Sequence, residues 1–147
     1  MAYLPGQKNI EVEIRPAKQE ELGAIVRKAG VLELDIAETD AGQFLVAVRG
    51  DSIRGFGRLR PYRDFTELAT LGVMAPDQMK GIGSLVVRAL LKKAGGEVYL
   101  TTVIPAYFSR FGFSKADDYP AELNKKMDFC RSFGFHAGEI FVMKHQP

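Results

Sequence analysis

Between residues 10 and 15 apolar and charged positions alternate. Ile10, Val12 and Ile14 interleave with Glu11, Glu13 and Arg15, the two-residue period of a half-buried strand. From Leu22 the period lengthens, and Leu22, Ile25, Val26 and Ala29 form a helical stripe that ends at Gly30. Val31 to Asp40 is less decided and reads as a second short helix. Phe44 to Arg49 returns to a strand, Gly50-Asp51 turns the chain, and Ser52 to Arg60 runs back as the second arm of a hairpin. Thr66 to Met74 adds another strand to this meander. Ile82, Leu85, Val86, Ala89 and Leu90 then fall at i, i+3, i+4, i+7 and i+8, with Arg88, Lys92 and Lys93 opposite, predicting an amphipathic helix over 81–94 stopped by Gly95-Gly96. Glu97 to Val103 is a strand reached through that helix, so it pairs parallel to its predecessor. A short aromatic helix follows from Pro105 to Gly112. A helix over 120–133 carries Leu123, Met127 and Cys130 on one face, and a strand over 139–144 closes the chain. The expected class is α/β (α+β), a mixed sheet of six to seven strands flanked by helices.

Composition narrows the picture without changing it. With 147 residues, 46% hydrophobic and 26% charged, the chain is expected to form a single domain over 1–147 that buries about two thirds of its unfolded surface. Lys and Arg total 20 against 18 acidic residues, and a net charge of +2 gives no reason to expect nucleic acid or an anionic membrane as partner. No run approaches the roughly 18 apolar residues of a membrane span, and the first ten residues lack an apolar signal core, so a cytoplasmic location is expected. The single cysteine, Cys130, has no disulfide partner and reads as buried filler. His136 and His145 have no metal-ligand spacing around them, so no metal is expected.

The stretch that carries chemistry is 71–83, where an apolar strand runs through a glycine-bearing turn straight into the amphipathic helix. Gln78, Lys80, Gly81 and Gly83 form a Gln-x-x-Gly-x-Gly string. Glycines there let the backbone approach a ligand while the first helical amides point outward, which suits an anion such as a pyrophosphate. A P-loop would need a lysine between the second glycine and Ser84, and a dinucleotide fingerprint a third glycine or alanine where Val86 stands. Both fail. In the order Leu71, Val73, Pro76, Gln78, Gly81, Gly83, the string resembles the acyl-coenzyme A loop of the GNAT family of N-acetyltransferases. A second match is Pro105–Phe113, a short aromatic helix ending in Gly-Phe, so the resemblance spans at least residues 66–113. The run Tyr99 to Thr102, this helix and the final Val-Met are similar to N-acetylglutamate synthases and related amino-acid N-acetyltransferases.

The resemblance implies the GNAT fold, with a cleft between the two central parallel strands. It also implies acetyl-CoA as cosubstrate, held by Leu71, Gly72 and Val73 on the strand, by Gln78, Met79, Lys80, Gly81, Ile82, Gly83 and Ser84 in the loop, and by Phe108. Acetyl would pass to an amine in a ternary complex with no acetyl-enzyme, consistent with the lack of a nucleophile beside an obvious activator. Glu67, sharing strand parity with Ala69, Leu71 and Val73, is the candidate base. Family members often carry tyrosine four residues before the Gly-Phe glycine; here that position is Phe108, and Tyr107, one step away, is the candidate acid.

A free amino acid such as glutamate would need a partner for its α-carboxylate. Arg58 and Arg60 share one strand face with Arg54, and their guanidinium forks suit that task. Thr101 and Thr102 are candidates to hydrogen-bond either substrate. The alternatives are a protein lysine, a polyamine or a foreign amine as acceptor, or a noncatalytic acyl-CoA sensor. Convergent arginines would favour a carboxylated acceptor and an acidic pocket a cationic one. Strand exchange or edge pairing through residues 138–144 would support a homodimer.

Overall fold

The computed structural model describes residues 2–3, 11–78 and 80–145. Ile10 of the predicted first strand and Met79 of the predicted loop lie outside them. In chain order the elements are β1 (Ala2–Tyr3), β2 (Glu11–Pro16), α1 (Leu22–Val31), β3 (Phe44–Arg49), β4 (Ser52–Pro61), β5 (Thr66–Val73), α2 (Ile82–Lys93), β6 (Val98–Thr102), α3 (Pro105–Ser109), β7 (Phe113–Lys115), α4 (Asn124–Ser132) and β8 (Phe141–His145). Seven strands, β2 to β8, form a mixed sheet to which the two-residue β1 adds at one edge, in the order β1-β2-β3-β4-β5-β6-β8-β7. Among the described residues only β5 and β6 run parallel; every other pairing is antiparallel.

Each face of the sheet is closed by a helix whose stripe was legible in the sequence. Ile82, Val86, Val87 and Leu90 of α2 are fully buried against Val12, Leu45, Ala47, Leu68 and Leu100. Each such side chain contributes about 1.5–3 kcal/mol by leaving water. A Cβ at Gly57 would come within 2.9 Å of Leu90 and 3.0 Å of Val86, so the bare backbone of β4 lets α2 lie close. On the opposite face Ile25 and Ala29 of α1 pack on Phe44, Val46 and Phe56. A smaller cluster of Phe65, Tyr99, Leu123 and Val142 sits under the start of α4.

Three sequence expectations change. The helix predicted over 31–40 is a loop, in which Glu33 and Glu38 take positive φ of 59° and 52°. Its apolar residues Leu32 and Leu34 are two apart, not three or four, and both reach down to Gly72, where a Cβ would meet them at 2.8 and 3.0 Å. The helix predicted over 120–133 divides into a 3-10 turn, Ala121–Leu123, and α4. The closing strand is not an edge: β8 lies between β6 and β7, both of its sides paired within the chain, so it offers no ladder to a second copy.

A bulge in β5 sets the geometry of the site. Phe56 pairs with Gly72 and Arg58 with Ala69, so Thr70 and Leu71 together oppose Gly57. Thr70 takes a φ of +53°, a strained setting for a β-branched residue. Its hydroxyl compensates, accepting from Arg58 Nε at 2.8 Å and donating to the Asp35 carbonyl at 2.7 Å. The extra residue also flips the alternation. Leu71 and Val73 pack with the α2-side core alongside Leu68, whereas Glu67 pairs with Lys126 on α4. The expected shared parity of Glu67 with Leu71 and Val73 is therefore corrected.

Candidate active site

β5 and β6 hold ladder register only at Thr66–Val98 and Glu67–Tyr99, and then part. Beyond Glu67 the two strands form a fork, leaving the edge of β5 toward β6 without a ladder partner. The fork opens into a cavity of about 370 Å³ lined by Leu68 to Leu71 on one arm and Leu100 to Ile104 on the other. Phe108, the loop residues 32–35, and Lys126, Phe129, Cys130, Phe133 and Phe135 complete the walls.

At one end of β5 stands the predicted anion loop. Gly81 is the N-cap of α2 with φ +90°, the left-handed conformation that a glycine adopts without strain, and among the described residues no side-chain hydrogen bond caps it. The amides of Ile82, Gly83 and Ser84 follow at the positions where an α-helix has no internal acceptor to offer. The approach to the helix is held by Asp77, buried at 2% exposure, which accepts from Arg54 Nε at 2.6 Å and Arg49 Nη1 at 3.4 Å. Burial alone would raise the Asp77 carboxyl, but these guanidinium groups hold it below its usual value. Gln78 folds back to donate to the Val73 carbonyl at 2.9 Å, and Lys80 lies 4.0 Å from Asp77.

Tyr107 stands at this loop. Its hydroxyl is 3.4 Å from Ser84 Oγ, and a Cβ on Gly83 would come within 3.0 Å of it. Tyr107 is not among the cavity-lining residues, whereas Phe108 is. Beside Tyr107, Arg110 donates to Ser84 Oγ at 2.9 Å and lies 4.8 Å over the Tyr107 ring. Sequence reasoning missed Arg110, which brings a second cation to the loop.

The predicted arginine cluster does not converge. Arg54 is committed to Asp77 and the Ala75 carbonyl. Arg58 is 0% exposed and spends its donors on Thr70, Gln43 and the carbonyls of Glu38 and Asp35. It serves as a brace under the bulge, buried, with four of its five N–H groups given to the protein. Arg60 is ion-paired with Glu38 at 2.9 Å.

The cation that does reach the fork is Lys126 of α4, which the sequence reading passed over. Its ammonium is 2.9 Å from Asp35 Oδ2 and 3.6 Å from Glu67 Oε2. Burial by itself would raise the Asp35 carboxyl, but Lys126 carries it below its ordinary value. Glu67 is 1% exposed; Oε1 accepts from the Tyr62 hydroxyl at 3.4 Å, and Oε2 has no hydrogen-bond partner. It faces a second cavity of about 200 Å³, which shares Asp35, Lys126 and Phe129 with the first and is rimmed by Arg60, Tyr62 and Glu122. Burial followed by the Glu67 charge raises the Tyr62 hydroxyl, keeping it a donor. Thr101 Oγ1, on the other arm of the fork, is buried without a partner, while Thr102 Oγ1 accepts from the Ile104 amide at 2.9 Å. Burial pushes the Cys130 thiol up, which disfavours the nucleophilic thiolate. A stripe could have revealed the α4 wall: Lys126, Phe129, Cys130 and Phe133 fall at i, i+3, i+4 and i+7.

A mixed sheet forked beside a helix N-terminus sets an open cleft next to a place suited to an anion. The model of the acetyltransferase (GNAT) family matches residues 9–113, and the chain belongs to that family. No curated protein matches it by sequence. Among solved structures it is similar to the N-acetylglutamate synthase of Neisseria gonorrhoeae complexed with coenzyme A and N-acetyl-glutamate, at 20% identity and a TM-score of 0.74. That match covers 94% of this chain and 35% of the synthase chain, so this chain spans about a third of its length. Rv2747 of Mycobacterium tuberculosis, in complex with CoA and NLQ, matches at 20% identity and TM-score 0.71 over 92% of this chain and 99% of its own. Naa50 of Arabidopsis thaliana, in complex with the bisubstrate analogue CoA-Ac-MVNAL, matches at 19% identity and TM-score 0.67 over 94% and 100%. At these identities the likeness is one of fold.

Proposed function

We propose that the protein transfers acetyl from acetyl-CoA to the α-amine of a free amino acid, by direct attack within a ternary complex. One observation carries this reading: the Lys126 ammonium sits between the Asp35 and Glu67 carboxylates at the fork of β5 and β6. An amino acid is itself a pair of opposite charges on one carbon, and this group can match both. Lys126 has three N–H donors and takes over from the arginines as partner of the α-carboxylate. The carboxylates attract the ammonium and accept its proton.

The remaining fit is to the donor. The open amides of Ile82, Gly83 and Ser84, with Lys80 and Arg110 beside them, suit the diphosphate of coenzyme A. The edge of β5 from Leu68 to Gly72, which has no ladder partner toward β6, offers backbone groups to the arm that carries the thioester. Phe108 contributes an apolar wall.

In chemical terms the amine gives one proton to Glu67 through a water in the smaller cavity, and the nitrogen forms a bond to the thioester carbonyl carbon. The carbon–sulfur bond breaks with its electron pair on sulfur, the nitrogen gives up its second proton to water, and that water returns a proton to the thiolate, leaving the neutral amide and the free thiol. Holding both reactants at attack distance supplies about 7–11 kcal/mol of the barrier reduction when the geometry is right. General base catalysis adds about 100- to 10,000-fold. Tyr107 is better suited to lining the donor loop than to acting as the acid.

The test is an assay of the purified protein with acetyl-CoA and a panel of free amino acids, a polyamine and a lysine peptide, reading N-acetyl product by mass spectrometry. At least one free amino acid should be acetylated faster than the polyamine and the peptide. Turnover confined to the last two would refute the amino-acid reading, and coenzyme A binding with no product would favour a sensor.

A further inference from the structure

Resting on the reading of the fork as an amino-acid site, we infer that the acceptor carries a large apolar side chain, of the leucine or phenylalanine class, and that Phe129, Phe133 and Phe135 select it. Among the described residues that line the larger cavity, Lys126 is the one basic side chain, and Glu33 and Asp35 are acidic. Lys126 is engaged by Asp35 and, on the proposed reading, by the α-carboxylate. Within this cavity a second carboxylate on the substrate would find no further cation: Arg58 is buried and held by Thr70, Gln43 and two carbonyls, Arg60 is paired with Glu38, and Arg60 and Lys125 line the smaller cavity. Glutamate would bring an uncompensated charge beside two resident carboxylates, which a low-dielectric site penalises steeply.

The rim of the cavity is apolar and exposed. Ile104, Phe133 and Phe135 are 56%, 46% and 38% exposed, and all three line the mouth of this cavity. Phe129 and Phe133, one turn apart on α4 and its end, set their rings 5.1 Å apart at a tilt of 58°, forming an aromatic wall. A guest side chain laid against that wall leaves water together with the rings, the gain that drives apolar recognition. At about 370 Å³ the cavity lies near the lower end of the roughly 300–1,000 Å³ span of small-molecule sites, the right scale for one amino acid beside the acetyl arm.

The experiment compares kcat/KM for phenylalanine, leucine, alanine, glutamate, phenylalaninamide and a peptide beginning with phenylalanine, using acetyl-CoA and the full chain, with N-acetyl product read by mass spectrometry. Phenylalanine or leucine should exceed glutamate by about tenfold or more, the usual discrimination of an apolar pocket. Phenylalanine should also exceed its amide and the peptide, because Lys126 reads the free carboxylate. In the Phe133→Ser/Phe135→Ser variant the phenylalanine-to-alanine ratio of kcat/KM should fall by about tenfold toward unity. A folded variant with an unchanged ratio would overturn the role of these rings. Preference for glutamate would overturn the inference while leaving amino-acid acetylation intact, whereas preference for the amide or the peptide would remove the free amino acid as substrate. If no amino acid in the panel is acetylated, both readings fall together.

Discussion

A Gly83→Glu variant will bind coenzyme A about 100-fold more weakly than the wild-type protein while keeping its fold. The new carboxylate enters the arc of amides that opens α2, where a diphosphate is proposed to sit, and like charges forced together at a binding site cost several kcal/mol. A loss of about 2.8 kcal/mol already corresponds to 100-fold. Position 83 is a better test than 81. Gly81 holds φ +90°, so any side chain there strains the backbone before charge enters the question. At Gly83 a Cβ meets the Tyr107 hydroxyl at 3.0 Å, an adjustment of a few tenths of an ångström. Gly83→Ala makes the same adjustment without the charge and should lose far less affinity. Calorimetric titration separates the two, and equal affinities for the Glu variant and the wild type would refute the loop assignment.

Glu67→Gln should lower kcat at neutral pH by about 100-fold or more, with coenzyme A affinity within about twofold of wild type, since a base contributes roughly that factor and the donor loop is untouched. Glutamine keeps the size of the side chain and its contact with Tyr62. A role in holding Lys126 could also reduce the rate, so the pH profile decides. If Glu67 takes the proton, the acid limb of the wild-type profile flattens in the variant. Parallel profiles would make Glu67 a positioning residue only, and equal rates would remove it from the mechanism.

Much of this fold was legible because each element satisfies one local rule at a time. The stripe of α2, the hairpin of β3 and β4 and the parallel entry of β6 follow from period and connection, and the boundaries differ from the pattern by a residue or two. The glycine string stands out in the sequence because its backbone demands are local as well: Gly81 takes the left-handed conformation at the N-cap.

The failures share a cause of the opposite kind. The bulge at Thr70 inserts one residue into an otherwise regular strand, and only the partner strand reveals it, through Phe56 pairing with Gly72 and Arg58 with Ala69. That slip turns Glu67 away from Leu71 and Val73. The spacing of Arg54, Arg58 and Arg60 was readable, but the groups that consume them were not. Asp77 is 23 residues from Arg54, and the carbonyl of Asp35 is 23 from Arg58. Lys126 escaped notice because a lysine beside another lysine on an amphipathic helix reads as solvated surface. Its meaning comes from Asp35 and Glu67, contributed by two other parts of the chain.

The central claim is that the first amides of α2 receive the diphosphate of the donor. Titrating coenzyme A into uniformly 15N-labelled protein and following backbone amide shifts tests it residue by residue. The account predicts that Gly81, Ile82, Gly83 and Ser84 show the largest shifts, saturating together with binding measured by calorimetry. Saturable binding that leaves those four resonances in place and moves others instead would contradict it.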